Sequence, residues 1–440
     1  MPVLAAERGT REELESIQAR RLSALLAEIL PLNRFYIRKL AEAGVEPEDL
    51  RTPADLQRLP FTSKAELLAD QEENPPYGNV HTYPMHRYTR LHQTSGTSSR
   101  PLRWLDTPES WKWCLENWRE IYEIVGLRRD DRLFFAFSFG PFLGFWSAFD
   151  AAARLGYFCF PAGGTSSVAR LRAILDIRAS VVLCTPTYAM HLAEVAAAER
   201  LDLAGCAVRA LIVAGEPGGS IPATRQRIEQ AWRARVFDHH GMTEIGPTAV
   251  ECPENPGGLH VLESEYIVDI VHPQTGLAVT PGQVGELVLT SLGRAGSPLL
   301  RYRSGDLARA DPNRCPCGRP NLRLDGGILG RADDMICVRG NNVFPSALEA
   351  VIRCFPEVAE YRVEVDASST LPELRVEIEP TAPELANGIA ERVERAIRNE
   401  LLFRAEVRVA LPGSLPRYEF KAKRVTRKDA KMPRKERGEQ

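Results

Sequence analysis

The sequence predicts an α/β protein in two parts: a large, multi-subdomain N-terminal domain with a parallel sheet and a β-rich part, and a small α+β C-terminal domain. Three observations support this architecture. Helix signals dominate the first ninety residues. From about residue 131, short apolar runs alternate with helix-length segments, which is typical of a parallel sheet covered by helices. Beyond about residue 250, β-like runs separated by Pro- and Gly-containing turns take over.

Local signals place the individual elements. Thr10 with Glu13, and Ser63 with Glu66, have the spacing of a capping box, and Thr52 precedes a first-turn proline. We place the domain boundary near residues 330–334, which gives domains 1–330 and 331–440. The predicted helices include 168–177, 188–201, 346–354 and 385–402, and the predicted strands include 133–139, 157–160, 180–184, 209–216, 260–271, 285–292, 334–338, 362–365, 373–379 and 406–411.

Charge and apolar pattern exclude several classes of protein. A formal net charge of −2 gives no overall basic field, so we expect no nucleic-acid partner. The first residues are charged from Glu7 onward and lack an apolar signal core, which predicts a cytoplasmic protein. The most apolar stretch, 133–149, is interrupted by Gly140 and Pro141 and falls short of the ~20 residues that span a bilayer, so we expect no membrane segment.

One segment has the composition of a phosphate-binding loop. Residues 94–101, TSGTSSRP, surround a glycine with small hydroxyl side chains, which lets the backbone approach a ligand closely. The segment is not a P-loop, because the required lysine is absent. Without further context, a plain surface loop is the alternative interpretation.

A second segment carries a candidate magnesium ligand. Residues 238–246, DHHGMTEIG, follow a short strand and contain Glu244. A carboxylate there could hold Mg²⁺ that bridges nucleotide phosphates, because magnesium takes oxygen ligands and uses few protein carboxylates. A surface glutamate without a ligand is the alternative.

Further motifs accompany these two segments in a fixed order. They are LPFTSKAEL, AGEPGG from residue 214, GLH, YRSGDL, GRADDMICVRGNNVFP and a closing LPR pattern with lysines. Together they run from about residue 59 to 425 and resemble the adenylate-forming ligase superfamily, and within it the phenylacetate-CoA ligase family. Several motifs in one order are a far more specific signal than any one of them.

The resemblance implies an AMP-forming acid–CoA ligase that uses ATP, Mg²⁺ and coenzyme A. A carboxylate would attack the α-phosphate of ATP to give acyl-AMP and pyrophosphate, and the thiol of coenzyme A would then displace AMP. Such a site works by positioning and charge stabilisation and needs no side-chain nucleophile.

The resemblance also assigns roles to individual residues. Lys421 would neutralise charge on the α-phosphate, Glu244 would bind Mg²⁺, and Asp306 would accept hydrogen bonds from the ribose. Arg331 would begin the hinge between the domains, so that the reaction requires domain closure and rotation. The remaining nucleotide- and coenzyme-binding candidates are Thr94, Ser95, Gly96 and Thr97 for the phosphates, Ala214, Gly215, Glu216, His240, Gly241, Met242 and Thr243 around the nucleotide, and Gly340 and Asn342 for coenzyme A.

The chain departs from the family pattern at two positions. Phe420 precedes Lys421 where the family has glycine, which leaves open that Lys423 substitutes for Lys421 or that adenylation is impaired. His240 stands where the family has tyrosine, and its ring can still stack on adenine.

Four residues form a candidate zinc set. Cys252 and His260 flank one Pro- and Gly-rich turn, and Cys315 and Cys317 lie in another. Three thiolates and one imidazole complete a closed structural zinc tetrahedron, and some members of the resembled family hold zinc at similar positions. Unconnected buried cysteines are the alternative, since the spacing is not a CxxC pair.

The resemblance places the acid pocket near a strand end where aromatic residues cluster in this chain. The candidate lining residues are Phe137, Phe139 and Phe142, with Gly246 and Pro247 after the Glu244 motif. Core packing is the alternative for most of these rings. If one or two line the pocket, a flat apolar acid is preferred, which indicates an aromatic substrate.

Two other functions remain open at this point. The acyl group could pass to a carrier protein or another acceptor instead of coenzyme A, or the chain could be a noncatalytic nucleotide-binding homologue. The expected partners are a small carboxylic acid, ATP and coenzyme A, and a homodimer is one open assembly.

Overall fold

The computed structural model describes residues 9–94, 100–338, 341–366, 373–418 and 422–428. Its N-terminal part contains three α-helices: α1 (Arg11–Ile29), α2 (Arg34–Ala43) and α3 (Lys64–Glu73). The predicted capping boxes at Thr10 and Ser63 are confirmed, because each hydroxyl accepts a hydrogen bond from the backbone three residues on. Thr52 opens a 3-10 segment, Pro53–Arg58, and not an α-helix. Within the described residues, no helix is long and apolar enough to cross a membrane.

The centre of the chain is a mixed sheet with helices on both faces. A hairpin of β1 (Arg90–Gln93) and β2 (Arg103–Asp106) and helix α4 (Pro108–Val125) precede it. Its strands are β3 (Arg132–Phe135), β4 (Phe158–Pro161), β5 (Val181–Cys184), β6 (Ala210–Ala214), β7 (Arg235–Met242), β8 (Gly246–Glu251), β9 (Gly258–Val261) and, later in the chain, β13 (Arg323–Asp325).

The strand order is β13-β9-β8-β7-β6-β5-β3-β4. Strands β3, β4, β5, β6 and β7 run parallel to one another, whereas β8, β9 and β13 each pair antiparallel with their neighbours. The helices between the parallel strands are α5 (Leu143–Arg154), α6 (Ser167–Asp176), α7 (Pro186–Ala198) and α8 (Pro222–Trp232). α4 and α5 pack on one face, whereas α6, α7 and α8 pack on the other. The predicted alternation of strands and helices is confirmed.

A second sheet forms the β-rich part. It has the order β10-β11-β12-β14 and consists of β10 (Tyr266–Val271), β11 (Val284–Ser291), β12 (Tyr302–Arg309) and β14 (Gly330–Arg331). The prediction of one strand over 260–271 is wrong, because β9 and β10 belong to different sheets. A turn separates them, in which the backbone N–H groups of Glu265 and Tyr266 donate to the carbonyl of Leu262.

The last hundred residues have a hydrophobic core of their own. A hairpin of β15 (Ile336–Val338) and β16 (Asn341–Val343) leads to α9 (Pro345–Arg353) and a sheet of order β19-β18-β17-β20. The strands are β17 (Val358–Asp366), β18 (Glu373–Pro380), β19 (Glu406–Val409) and β20 (Val425–Lys428), with α10 (Ile389–Leu401) between β18 and β19. The predicted helix over 385–402 starts later than expected, because Gly388, with φ +71°, lies just before α10. The boundary at residues 330–334 stays a prediction.

Candidate active site

The candidate phosphate loop is the connection of the β1–β2 hairpin. Thr94 closes its base: the Thr94 N–H donates to the carbonyl of Leu102, and the Leu102 N–H donates to the Thr94 hydroxyl, both at 3.0 Å. The Gln93 N–H donates to the carbonyl of Pro141 at 2.9 Å, which joins the hairpin to the segment after β3. Ser95, Gly96 and Thr97 lie outside the described residues. The loop therefore starts beside the carboxyl end of the parallel sheet, where α/β proteins bind ligands.

Glu216 lies just beyond the carboxyl end of β6 and connects two parts of the chain. It follows Ala214, the last residue of β6, and Gly215, which has φ +94°. Its carboxylate accepts hydrogen bonds from the N–H of Thr187 in α7 at 2.9 Å and from the N–H of Ala422 at 2.7 Å. Lys421 itself lies outside the described residues, but its neighbour Ala422 is held beside Glu216, just beyond the carboxyl end of β6.

Asp306 in β12 lies at the centre of a hydrogen-bonded group. Its Oδ2 is 2.9 Å from Nε2 of His240, and its Oδ1 accepts from Arg331 at 3.0 Å. The other ring nitrogen of His240 is 2.7 Å from the hydroxyl of Thr248, so both nitrogens are engaged and the ring plane is fixed. The buried carboxylate thus has a fixed orientation, as a paired acceptor for two hydroxyls requires.

Arg331 links this group to the start of the C-terminal part. Besides Asp306, it contacts Asp333, whose Oδ1 is 2.9 Å from Nε. Burial would lower the pKa of Arg331, but the carboxylates of Asp306 and Asp333 outweigh it and raise that pKa. Gly305 makes room for the guanidinium, because a Cβ at this position would lie 2.7 Å from Arg331 Nη2.

Glu244 is buried, with 3% of its surface exposed, and is not the surface glutamate that was the alternative. The hydroxyl of Tyr302 donates to its Oε1 at 2.8 Å. The preceding residues form the β7–β8 hairpin, in which Met242 pairs with Gly246. A Cβ on Gly241 would lie 2.9 Å from the carbonyl oxygen of Gly246, so this close approach requires glycine.

A buried ion pair that the sequence did not indicate supports the Glu244 segment. Arg294 donates two hydrogen bonds of 2.7 Å to Asp106, and neither residue is exposed. A third nitrogen of Arg294 donates to the carbonyl of Thr243 at 2.9 Å. Burial would raise the pKa of Asp106, but the charge of Arg294 outweighs it and holds that pKa below its usual value. The pair fixes the backbone next to the candidate magnesium ligand.

The four candidate zinc ligands come together. Their ligand atoms lie within 4.8 Å of one another. The sulfurs of Cys252 and Cys315 are 3.7 Å apart, and Cys317 Sγ is 3.4 Å from His260 Nε2. A tetrahedral zinc ion with bonds of about 2.3 Å to sulfur requires sulfur–sulfur distances of about 3.8 Å, whereas a disulfide requires about 2.0 Å. The arrangement therefore fits a metal better than a disulfide.

The imidazole of His260 is prepared for metal binding. Its Nδ1 is 3.3 Å from the carbonyl oxygen of Asn321, which can only accept a hydrogen bond and so leaves Nε2 with its lone pair toward the thiols. Burial and the charge of Arg319 lower the pKa of His260 to about 4, which favours the neutral, ligating form.

The aromatic residues after β3 pack mainly against one another. Phe137 stacks on Phe145 with ring centroids 4.1 Å apart, and Phe139 contacts Trp146 at 4.8 Å. Phe142 contacts Phe145 at 6.0 Å. This cluster lies over the carboxyl end of β3, beside the candidate nucleotide site.

Gly246 and Pro247 contact α4 and β10, and their place in the acid pocket stays a prediction. Gly246 has φ +98°, and a Cβ there would lie 3.1 Å from the hydroxyl of Tyr266 and 3.4 Å from the ring of Trp113. The carbonyl of Pro247 accepts from the same hydroxyl at 2.8 Å. Gly340 lies outside the described residues, as does the side chain of Asn342, whose backbone belongs to β16.

Comparison with known proteins identifies the family. The AMP-binding enzyme family model matches residues 35–295, and the AMP-binding enzyme C-terminal domain model matches residues 340–428. Phenylacetate-coenzyme A ligase from Thermus thermophilus is 32% identical, with 93% of this chain and 95% of that enzyme covered. The enzyme of the same name from Escherichia coli is 31% identical, with 95% and 96% covered. The chain belongs to the phenylacetate-CoA ligase family of AMP-binding enzymes.

Solved structures extend the comparison to conformation. One similar structure is 2-hydroxyisobutyryl-CoA ligase in the postadenylation state, in complex with 2-HIB-AMP. It superposes on this chain with a TM-score of 0.92 and 29% sequence identity, covering 97% of this chain and 94% of that one. The same ligase with 2-HIB-AMP and CoA in the thioesterification state gives 0.73 over 97% and 93%. Since coverage hardly differs, the parts of this chain are arranged more like those of the postadenylation state.

The predicted fold class and family are therefore confirmed. The contact between Ala422 and Glu216 agrees with the postadenylation-like arrangement, because it brings the C-terminal segment against the large domain. The buried ion pair of Asp106 and Arg294 supports the backbone next to Glu244, and no sequence motif indicated it.

Proposed function

We propose that this chain joins an organic acid to coenzyme A in two steps at one site, through an acyl-adenylate. The ligase activity is that of an AMP-forming acid–CoA ligase, as expected of its family. The observation that carries the proposal is the position of Ala422. Its N–H donates a hydrogen bond to Glu216, just beyond the carboxyl end of β6, the strand that pairs with β7 beside His240.

In the first step, the carboxylate attacks the α-phosphorus of ATP and pyrophosphate leaves. Thr94 and the loop residues Ser95, Gly96 and Thr97 would hold the phosphates, and Lys421 would stabilise the charge that develops on them. Asp306 would accept from the ribose hydroxyls, with Ala214, Gly215, Glu216, Gly241, Met242 and Thr243 around the nucleotide. The ring of His240, fixed between Thr248 and Asp306, would stack on adenine.

Magnesium would supply positive charge to the phosphates, and Glu244 would hold it. The buried carboxylate already accepts from Tyr302, and its other lone pairs suit a hard cation that takes oxygen ligands. Burial raises the pKa of Tyr302, so this phenol stays a donor and does not compete as an anion.

In the second step, the thiol of coenzyme A would attack the acyl carbonyl and release AMP. Gly340 and Asn342 would then line the entry of coenzyme A after the domain 331–440 rotates about a hinge at Arg331. The similarity to two states of 2-hydroxyisobutyryl-CoA ligase supports such a movement.

A structural zinc ion would occupy the cluster of Cys252, His260, Cys315 and Cys317. The sulfur–sulfur distance of 3.7 Å and the neutral imidazole support it. Four protein ligands leave no open position, so the ion would hold the turns around β9 and β13 together and take no part in the reaction. A homodimer and a cytoplasmic location stay predictions.

The substrate would be a flat, mostly apolar acid, and an aromatic one is preferred. The cluster of Phe137, Phe139 and Phe142 supports this, since ligand pockets are largely apolar with a few polar groups that fix orientation. The name shared by the four curated relatives, phenylacetate-coenzyme A ligase, agrees with an aryl acid.

The test is acid-dependent release of pyrophosphate from ATP and Mg²⁺, across aromatic and aliphatic acids, with and without coenzyme A. We expect release with a subset of acids and thioester formation when coenzyme A is present, both lost in Lys421→Ala. Release without thioester formation would indicate a carrier-protein acceptor. Nucleotide binding without any release would indicate the noncatalytic homologue.

A further inference from the structure

His239 lies on the side of β7 that faces α4, where its ring contacts that of Trp118. It lies near the carboxyl end of β7, pairs in register with Ala214 of β6, and directly precedes His240 of the nucleotide site. Only 7% of its surface is exposed. Its neighbour Phe237, two residues earlier on the same face of β7, packs in the core under α4 and α5, the side on which the rings after β3 also lie.

The tautomer of His239 follows from its surroundings. Nδ1 is 2.8 Å from the carbonyl oxygen of Ala249. A carbonyl only accepts, so Nδ1 carries the hydrogen, and Nε2 of the neutral ring presents a lone pair. Burial, with a smaller effect of the charge on His240, lowers the pKa of His239 to about 3, so the ring stays neutral at physiological pH. Nε2 is therefore a hydrogen-bond acceptor.

Nothing among the described residues donates a hydrogen bond to this nitrogen. The ring of Trp118 lies 4.5 Å from that of His239, but its indole N–H donates to the hydroxyl of Ser147 at 2.8 Å. Nε2 also faces Gly241: a Cβ there would lie 3.3 Å from it. Nε2 is not fully enclosed by protein, so a bound ligand can reach it, and a ligand that covers it must either donate a hydrogen bond to it or leave it unpaired.

We propose that Nε2 of His239 accepts a hydrogen bond from a hydroxyl or N–H group on the acyl part of the substrate, so that the preferred acid carries such a donor. This inference rests on the proposed function. The carboxylate of the acid cannot take this role, because it is ionised and only accepts. An unsubstituted acid leaves the nitrogen unpaired and is therefore a poorer substrate than its hydroxy or amino analogue.

The test compares matched acids: phenylacetate with the hydroxyphenylacetates, benzoate with hydroxy- and aminobenzoates, and isobutyrate with 2-hydroxyisobutyrate. The measured quantity is kcat/KM for acid-dependent pyrophosphate release. We expect at least one donor-bearing acid to exceed its unsubstituted partner by about 10- to 100-fold, the range that one unpaired buried acceptor implies.

Two variants separate this role from a structural one. His239→Asn can keep an N–H for the carbonyl of Ala249 but lacks an acceptor at Nε2, so we expect the preference for the donor-bearing acid to fall to near unity. His239→Gln can place an oxygen near the Nε2 position and should retain part of the preference. A purely structural role would lower kcat/KM for both acids of a pair alike and leave their ratio unchanged.

The outcomes distinguish the inference from the function on which it rests. Turnover of acids without any advantage for the donor-bearing member would overturn the role of His239 and leave the ligase activity standing. Absence of pyrophosphate release with every acid would overturn both. A preference that survives in His239→Asn would show that another group reads the donor and would also overturn the inference.

Discussion

Replacing Glu216 with alanine should impair the first half-reaction selectively. The carboxylate accepts one hydrogen bond from Thr187, within the large domain, and one from Ala422, next to Lys421. Only the second bond is lost when the C-terminal domain moves away. The substitution should therefore destabilise the arrangement that presents the lysine, while the arrangement used for thioester formation is affected much less.

The magnitude follows from that single bond. A hydrogen bond to a charged acceptor contributes about 1.5–3 kcal/mol when it is protected from water. Because Glu216 is partly exposed, we expect an effect toward the lower end of this range, or about a tenfold slower adenylation. Glu216→Gln keeps one acceptor oxygen and should lose less.

The assay measures the two half-reactions separately. Single-turnover pyrophosphate release reports adenylation, and coenzyme A thioester formation from added acyl-AMP reports the second step. We expect Glu216→Ala to slow the first step and to leave the second within about threefold of wild type. Equal loss in both steps, or no loss in the first, would refute the proposed link between Glu216 and the lysine segment.

Three further predictions concern the lysines, the metal and the buried ion pair. Lys421→Ala should lower the adenylation rate by about 10²- to 10³-fold, and Lys423→Ala should change it little; stopped-flow pyrophosphate release measures both. Cys315→Ser should lose bound zinc, as measured by atomic absorption, and should lower the melting temperature. Arg294→Met leaves Asp106 buried without its partner and should cost about 3–5 kcal/mol of unfolding free energy in urea. Because Arg294 holds the pKa of Asp106 low, against the effect of burial, the contribution of the pair should persist above about pH 4 and disappear as the pH falls through that lowered pKa.

Each of these has a result that contradicts it. A larger loss in Lys423→Ala than in Lys421→Ala would move the catalytic role to Lys423. Wild-type protein without bound zinc, after purification free of chelators and with added zinc, would leave the cluster as four buried side chains. Arg294→Met with unchanged urea stability would show that the ion pair does not stabilise the fold.

Much of the fold could be predicted because its signals are local. The capping boxes at Thr10 and Ser63 need only four residues each, and the alternation of apolar runs with helices identifies the parallel sheet. The continuous run at 260–271 was misassigned, because apolar periodicity does not show that a chain leaves one sheet and enters another between Val261 and Tyr266.

The candidate site was predictable where residue type and motif order determine it. Asp306, Glu244 and the cysteine–histidine cluster belong to recognisable segments. Asp106 and Arg294 are separated by 188 positions, and neither belongs to a motif, so only the folded chain shows their pairing. His239 lies inside a motif, but its significance depends on which ring nitrogen the carbonyl of Ala249 engages.

The most direct test of the acyl-adenylate follows oxygen. A turned-over acid labelled with ¹⁸O in its carboxylate is incubated with ATP, Mg²⁺ and coenzyme A, and the products are analysed by mass spectrometry. If the carboxylate attacks the α-phosphorus, one labelled oxygen passes to AMP when coenzyme A displaces it, and pyrophosphate stays unlabelled. Thioester formed together with unlabelled AMP, or with ADP and labelled phosphate, would contradict the acyl-adenylate route.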